Sequence, residues 1–264
     1  STFENIKTEI LDKTGHLYEE IDFLLKEELR EPDVYKNILT AISSGCSKVV
    51  EIANSSGIKT HDIDKYLKVL IRLGIVKREI PVTKTKSKKS IYYIDDNFFS
   101  FSFVFSEPFK SDLEIGKIDN IEKKFKKDFN TFLGKKFEKL VREKIIPQTN
   151  IFQIQKIGRW WGHYRDSETN KRKGIEIDIV GINKDSNEIL FGECKWKENV
   201  DGNKVLKKLK EKSKYVEWPN SKKDRKENFV IIAKSFKDKS NMKNVHYYDL
   251  NAIEKIVMSN KKVM

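Results

Sequence analysis

One stretch, EIDIVGINKDSNEILFGECKW at residues 176–196, constrains the fold more than any other part of this chain. Ile175, Ile177 and Ile179 occupy alternate positions in one run, and Leu190, Gly192, Cys194 and Trp196 do so in the next. Between them lies NKDSNE, the turn chemistry of a tight hairpin. A period of two over both runs predicts two antiparallel strands. With residues 184–187 as the loop, Asn183 opposes Glu188, and paired positions sum to 371. Asp178 then faces Glu193, and Glu176 faces Lys195. Cross-strand partners on one face have Cβ atoms about 4.5–5.5 Å apart. Two carboxylates that close repel unless one is protonated or a cation lies between them. A one-residue slip would move the isoleucines to the other face, so hydrophobicity holds this register.

Charges placed this way predict a divalent-metal site. Oxygen donors suit Mg²⁺ (or Mn²⁺), which takes one or two carboxylates and completes its shell with water and substrate phosphate. Lys195 shares the face of Glu193. There it can orient or deprotonate an attacking water, or stabilise charge on a phosphorane.

The charge balance supports a polyanionic partner. Residues 1–110 carry 17 Lys/Arg and 17 Asp/Glu, whereas residues 111–264 carry 36 and 23, so the second half holds the whole excess of 13. Nucleic acid is the partner such an excess fits best, the alternative being a lysine-rich solubility surface. The chain has no apolar run near the roughly 20 residues of a membrane helix, so no membrane partner is expected. Only Cys46 and Cys194 occur, which excludes a disulfide framework or a zinc cluster and suits a reducing cytoplasm. No G-x-x-x-x-G-K-[ST] loop is present to bind nucleotide.

From Pro32 the pattern predicts three helices: DVYKNILTAISSG with Asp33 as N-cap, SKVVEIANSSG with Ser47, and THDIDKYLKVLIRLG with Thr60. Two strand-like segments follow, IVKREIPV and IYYI, separated by KTKSKKS. That order predicts a winged helix-turn-helix domain over residues 1–110, which includes the N-terminal amphipathic helix LYEEIDFLLKEEL ahead of the winged helix. Lys84, Lys86, Lys88 and Lys89 at the wing tip form a basic surface for a phosphate backbone. The third helix shows a mixed face, with Asp62 and Asp64 beside His61, Lys65, Lys68 and Arg72. DNA and protein partners therefore both remain open for this domain.

The second domain, residues 111–264, opens with a long helix over 119–146. Phe125, Phe129, Phe132, Leu133, Phe137, Leu140 and Val141 form its apolar stripe, with Glu138 at the edge. The segment IFQIQKIGRWW reads as strand up to Gly158, with a polar turn from Gly162. In it, Arg159 and Trp160 offer phosphate and base-stacking contacts, or the tryptophan pair plugs the sheet. KVLKKLKEKSKYV reads as a helix whose Lys207 and Lys208, with Lys204, Lys210, Lys212 and Lys214, track DNA or remain solvated. FVIIAKSF and NVHYYDL read as strands, NAIEKIV as the last helix, and Cys194 as core. His163 is a weak candidate base.

An acid on one strand, Glu-x-Lys on its antiparallel neighbour and a preceding helix with Glu resemble the PD-(D/E)XK restriction-endonuclease-like superfamily. Here the pieces are Asp178 in EIDIV, Glu193-Cys194-Lys195 in FGECKW, and Glu138 in GKKFEKLV; Ile177 stands where the motif's name has proline. The resemblance implies a mixed β-sheet flanked by helices, an α/β (α+β) chain overall. It also implies Asp178 and Glu193 as metal ligands, Lys195 as catalytic lysine and Glu138 as auxiliary ligand. LYEEIDFLLKEELREPDVYKNIL, DNFF, IGRWW, EIDIV and ECKW are also similar to the C-terminal region of archaeal STAND/AAA-like ATPases. That likeness implies that this chain is a C-terminal piece and that an ATPase domain is its partner. The expected function is Mg²⁺-dependent hydrolysis of DNA phosphodiesters. The alternatives are an inactive DNA-binding or interaction module and a regulator of an associated ATPase.

Overall fold

The computed structural model describes residues 2–87, 89–166, 168–218 and 225–261. Lys88, one of the four expected wing-tip lysines, lies outside the described residues. The chain forms two compact units. The first is Ser1–Glu79 with Lys88–Phe129, and the second is Ile80–Ser87 with Asn130–Met264. The molecule is mixed α/β, as expected.

The first unit runs α1 (Thr2–Ile6), α2 (Glu20–Glu28), α3 (Pro32–Ser43), α4 (Val49–Ser56) and α5 (Ile63–Arg72). The hairpin strands β1 (Val76–Glu79) and β2 (Ile91–Ile94) follow, then α6 (Asn97–Phe105), α7 (Lys110–Glu114) and the start of α8 (Asp119–Leu140). In α5, Ile63, Tyr66, Leu67 and Leu70 are all buried, at the i, i+3, i+4, i+7 spacing that sends one helical face to a core. The hairpin is antiparallel, from Val76↔Ile94 to Glu79↔Ile91. Gly74, at φ 74°, provides the left-handed turn between α5 and β1 that a residue with a Cβ resists.

Helix starts differ from the expected caps. Pro32 opens α3, because a proline lacks the N–H that is unpaired there anyway. Lys48, not Ser47, is the N-cap of α4, and the Glu51 carboxylate accepts the N–H groups of both residues. The N-cap of α5 is Asp62 rather than Thr60. The phenylalanine-rich segment after the hairpin is helix α6, started by Asp96, whose carboxylate accepts the Phe99 N–H at 2.8 Å. Phe105 and Phe125 rings lie 5.6 Å apart, and Phe125 and Phe129 stack at 4.0 Å. These rings carry the first unit to Phe129, past residue 110.

The second unit is built on a five-stranded sheet in the order β3-β4-β5-β7-β9: β3 (Lys156–Arg165), β4 (Arg172–Asn183), β5 (Glu188–Lys195), β7 (Lys226–Ala233) and β9 (Val245–Tyr248). The first three are antiparallel, and β5, β7 and β9 are parallel. Two short strands, β6 (Val200–Asp201) and β8 (Phe236–Asp238), pair beside it. Helix α9 (Gly202–Ser213) makes the crossover from β5 to β7, started by Asp201, which accepts the Lys204 N–H. Helix α10 (Leu250–Lys261) ends the chain.

Both faces of the sheet are covered. Leu206 and Leu209 of α9 pack with Ile177, Val180, Phe191 and Ile231 on one face. Phe137, Val141 and Ile145 of α8 and the π-helical segment after it pack with Ile179, Leu190, Cys194, Val230 and Ile253 on the other. Strand β3 begins at Lys156 and runs through both tryptophans to Arg165, so the sequence expectation of a strand ending at Gly158 was short at one end and early at the other. Residues Ile80–Ser87, expected as the far end of the wing, belong to this unit. Val82 is buried in its core, donates its N–H to Arg159 O at 2.9 Å, and packs on Gly158.

Candidate active site

The hairpin register counted from the turn is the one the structure has: Asn183 pairs with Glu188, and Ile179 with Gly192. The ladder stops there. Asp178 and Glu193 are not backbone partners; instead Asp178 Oδ2 accepts the N–H of Cys194 at 2.9 Å. A side chain thus takes a donor that a continued ladder would give to a carbonyl. Glu176 is likewise not opposite Lys195: its partner is Trp161 on β3, and Arg159 Nη1 lies 3.4 Å from its carboxylate.

A β-bulge explains the break. On β3 the pairs Gly158↔Val180 and Trp160↔Ile177 leave one residue, Arg159, opposite two on β4, Asp178 and Ile179. The extra residue reverses the alternation. Ile177 joins the α9 face and Ile179 the α8 face, so the isoleucines do not share a face as expected. Both faces are apolar, so either accepts an isoleucine. A bulge re-aims the side chains at its centre, and here Asp178 is at that centre.

The acids converge on this point. Burial, the neighbouring Glu193 charge and the limited relief from the Cys194 N–H leave the Asp178 carboxyl raised to about 6. Burial again, then the charges of Asp178 and Glu176, raise Glu138 to about 7. Next to Glu138 in the chain, the Phe137 ring lies 4.9 Å from that of Trp196. Trp196 also lies against Gly134, its Cβ 3.5 Å from where a side chain there would begin. Arg142, with only 6% of its side chain exposed, donates to the Asp178 carbonyl at 3.4 Å. It sits in the π-helical segment Val141–Ile145, a distortion often found at functional sites.

Glu193 is buried at 8% exposure and is neutralised twice. Lys195 Nζ is 2.7 Å from Oε1, and Lys212 Nζ is 3.1 Å from Oε1 and 2.9 Å from Oε2. Although burial works against the charged form of Lys195, the Glu193, Asp178 and Glu138 carboxylates raise its pKa on balance. Lys195 is therefore an ammonium at neutral pH, able to orient and to stabilise negative charge, and not a resting base. Among the described residues, no three or more His, Cys, Asp or Glu side chains are grouped so that they could hold a metal ion. Asp178, Glu193 and Glu138, expected together as ligands, do not form such a group, and both Glu193 oxygens face lysine ammonium groups.

The expected nucleic-acid contacts fall differently. Trp160 is buried at 8% exposure and its ring lies over Gly162, so it is core and offers no face to a base. Arg159 pairs with Glu176 and lies over the Trp161 ring. Lys84, Lys86, Lys89, Lys207 and Lys208 are exposed, as is His163. On α5, Lys68 pairs with Asp64 at 2.7 Å, and Asp62 lies near both Lys65 and His61. Cys194 is buried, as expected of a core cysteine, and burial raises its thiol pKa well above the ordinary value. The contact of Lys212 with Glu193 was missed by sequence reasoning, which grouped Lys212 with the solvated lysines of α9. No spacing signal marks it, since it lies 17 positions beyond Lys195, near the end of the crossover helix.

Residues 101–213 match the model of a family described as archaea bacterial proteins of unknown function, DUF234. The uncharacterized protein MJECL04 of Methanocaldococcus jannaschii is 37% identical over 246 residues, which cover 90% of this chain and 52% of the relative. The chain therefore spans about half the length of that archaeal relative. Protein VC1899 from Vibrio cholerae, a solved structure, aligns over 94% of this chain and 55% of its own, with 13% identity and a TM-score of 0.34. No helix among the described residues is long and apolar enough to cross a membrane.

Proposed function

We propose that the second unit is a divalent-metal-dependent endonuclease domain of the PD-(D/E)XK type that hydrolyses DNA phosphodiester bonds. The observation that carries this reading is the electrostatic coupling of Asp178 to Glu193, of Glu138 to Asp178, and of Lys195 to all three acids, with Asp178 and Glu138 both raised toward neutrality. Both acids are raised first by burial and then by neighbouring carboxylate charge, and a Mg²⁺-class ion bound beside them would favour their charged forms. Asp178 and Glu193 fit such an ion as its two carboxylates, with Glu138 an auxiliary acid beside them. When bound, the ion would supply Lewis-acid polarisation of the phosphate and an activated water.

This chain's own residues do the rest. Lys195, kept protonated by its acidic neighbours, orients the attacking water and stabilises charge as it develops on the phosphoryl oxygens. Glu138 exchanges a proton near neutral pH. The three helices and hairpin of the first unit serve as a winged helix for DNA or partner contact. An ATPase domain, on the same or a partner chain, is the proposed partner, in the cytoplasm. A second reading, a DNA-binding or regulatory module that does not cut, is favoured by one observation: Lys195 and Lys212 already neutralise Glu193.

Purified protein incubated with supercoiled, linear, single-stranded and branched DNA in Mg²⁺ or Mn²⁺ separates the readings. Cleavage by the wild type and its loss in Asp178→Ala are the expected results. Cleavage that persists in Asp178→Ala would overturn the site. Salt-dependent DNA binding without cleavage would establish the second reading instead.

A further inference from the structure

Lys212 is placed unlike the other lysines of α9. Lys207 and Lys208 are exposed, whereas Lys212, in the last turn of the helix, bridges both oxygens of buried Glu193. Leu206 and Leu209 anchor the helix on the sheet, so Lys212 is delivered to the acid by a rigid element and does not arrive by chance from a flexible loop. The helix C-terminus favours a cation there as well. An ammonium that takes both oxygens of a carboxylate leaves its best lone pairs occupied. A divalent ion beside that ammonium would also meet like-charge repulsion in a half-buried site.

We propose that Lys212 is a built-in competitor for the divalent cation, holding Glu193 in the cation-free protein and releasing it when the ion binds. This rests on the reading of Asp178 and Glu193 as cation ligands. Lys212 is then a positioning residue that sets the cation affinity of the site. Lys195 differs from it in keeping to one oxygen of Glu193, so it can stay while Lys212 leaves. The released ammonium, 30% exposed before release, has room to turn to solvent or to a phosphate.

The test is Mn²⁺ binding to the full chain by titration calorimetry, with no DNA and no activity readout. Lys212→Met is expected to bind Mn²⁺ more tightly, by about tenfold, the change that corresponds to about 1.4 kcal/mol. Lys212→Arg, which keeps the charge, is expected to stay close to wild type, an outcome that a merely steric role would not give. Lys212→Gln, whose fold is checked by circular dichroism, repeats the measurement if the methionine variant does not fold. Unchanged or weaker binding in Lys212→Met and Lys212→Gln, with wild-type binding that Asp178→Ala abolishes, overturns the proposal alone. Absence of Mn²⁺ binding in wild type and Lys212 variants alike overturns the cation-site reading itself, and the proposal with it.

Discussion

At the scale of single residues, the site is defined by protons held where water is scarce. Glu138 has its pKa raised from 4.5 to about 7, first by burial and then by the Asp178 and Glu176 charges. In the unfolded chain this carboxyl loses its proton near 4.5, so between about pH 4.5 and 7 the native state binds the additional proton. Stability then falls as pH rises through that window and stays low above it. Asp178, raised from 3.8 to about 6, acts in the same direction over a lower window. Glu138→Gln replaces the carboxyl by a neutral group of the same shape. The second unit of that variant should lose part of its pH dependence between about pH 4.5 and 7, and so be about 1–3 kcal/mol more stable than wild type by pH 8. Thermal melts across that range check this. Equal stability of variant and wild type near pH 8 would contradict the burial-driven shift. Sequence pattern exposed Asp178 and Glu193 together, because acids interrupting apolar alternation are legible without coordinates, whereas Glu138, on a helix, stood out only through the family resemblance. It did not expose Lys212 or Arg142, whose roles depend on a helix crossover and on a π-helical turn.

At the scale of elements, the hairpin shows both the reach and the limit of sequence reasoning. The turn NKDSNE set the register, and five consecutive pairs agree with the count to 371. What it could not show was the bulge, because that depends on a third strand, β3, whose Arg159 faces two residues of β4. Local alternation knows only two strands. The same limit left Trp160 open between a stacking surface and a plug of the sheet, and β3 places it in the core. Gly192 marks where the strands close on one another. A Cβ there would lie 2.8 Å from Val230 Cγ1 and 2.9 Å from Ile179 Cβ, neither on a flexible chain. Gly192→Ala should therefore destabilise the second unit by about 1–3 kcal/mol through overpacking beside the bulge. Denaturant unfolding followed by the sheet's far-ultraviolet signal measures it. A midpoint unmoved by the substitution would mean that β4, β5 and β7 yield more easily than their packing indicates.

At the scale of the whole molecule, charge is what divides the two halves. Residues 1–110 are balanced, and the entire excess of 13 positive charges lies beyond them. On α5, where a groove-reading helix would show bases to DNA, Lys68 is paired with Asp64 and Asp62 sits near Lys65. On α9, Lys207 and Lys208 are exposed on the same helix that sends Lys212 to the site. These placements assign the main phosphate contacts of the proposed DNA complex to the second unit. Each lysine that neutralises a phosphate contributes about −0.9 to the slope of log affinity against log salt. Lys207→Ala/Lys208→Ala should weaken binding to duplexes of any sequence and flatten that slope by about 2, because phosphate contacts carry no sequence information. Lys65→Ala/Lys68→Ala, which removes lysines already facing acids, should change the slope by much less. Fluorescence anisotropy with a short duplex at several salt concentrations, in the absence of divalent ions, measures both. If the α5 pair flattens the slope and the α9 pair does not, the first unit is the one that holds DNA, and the charge excess of the second half serves another surface.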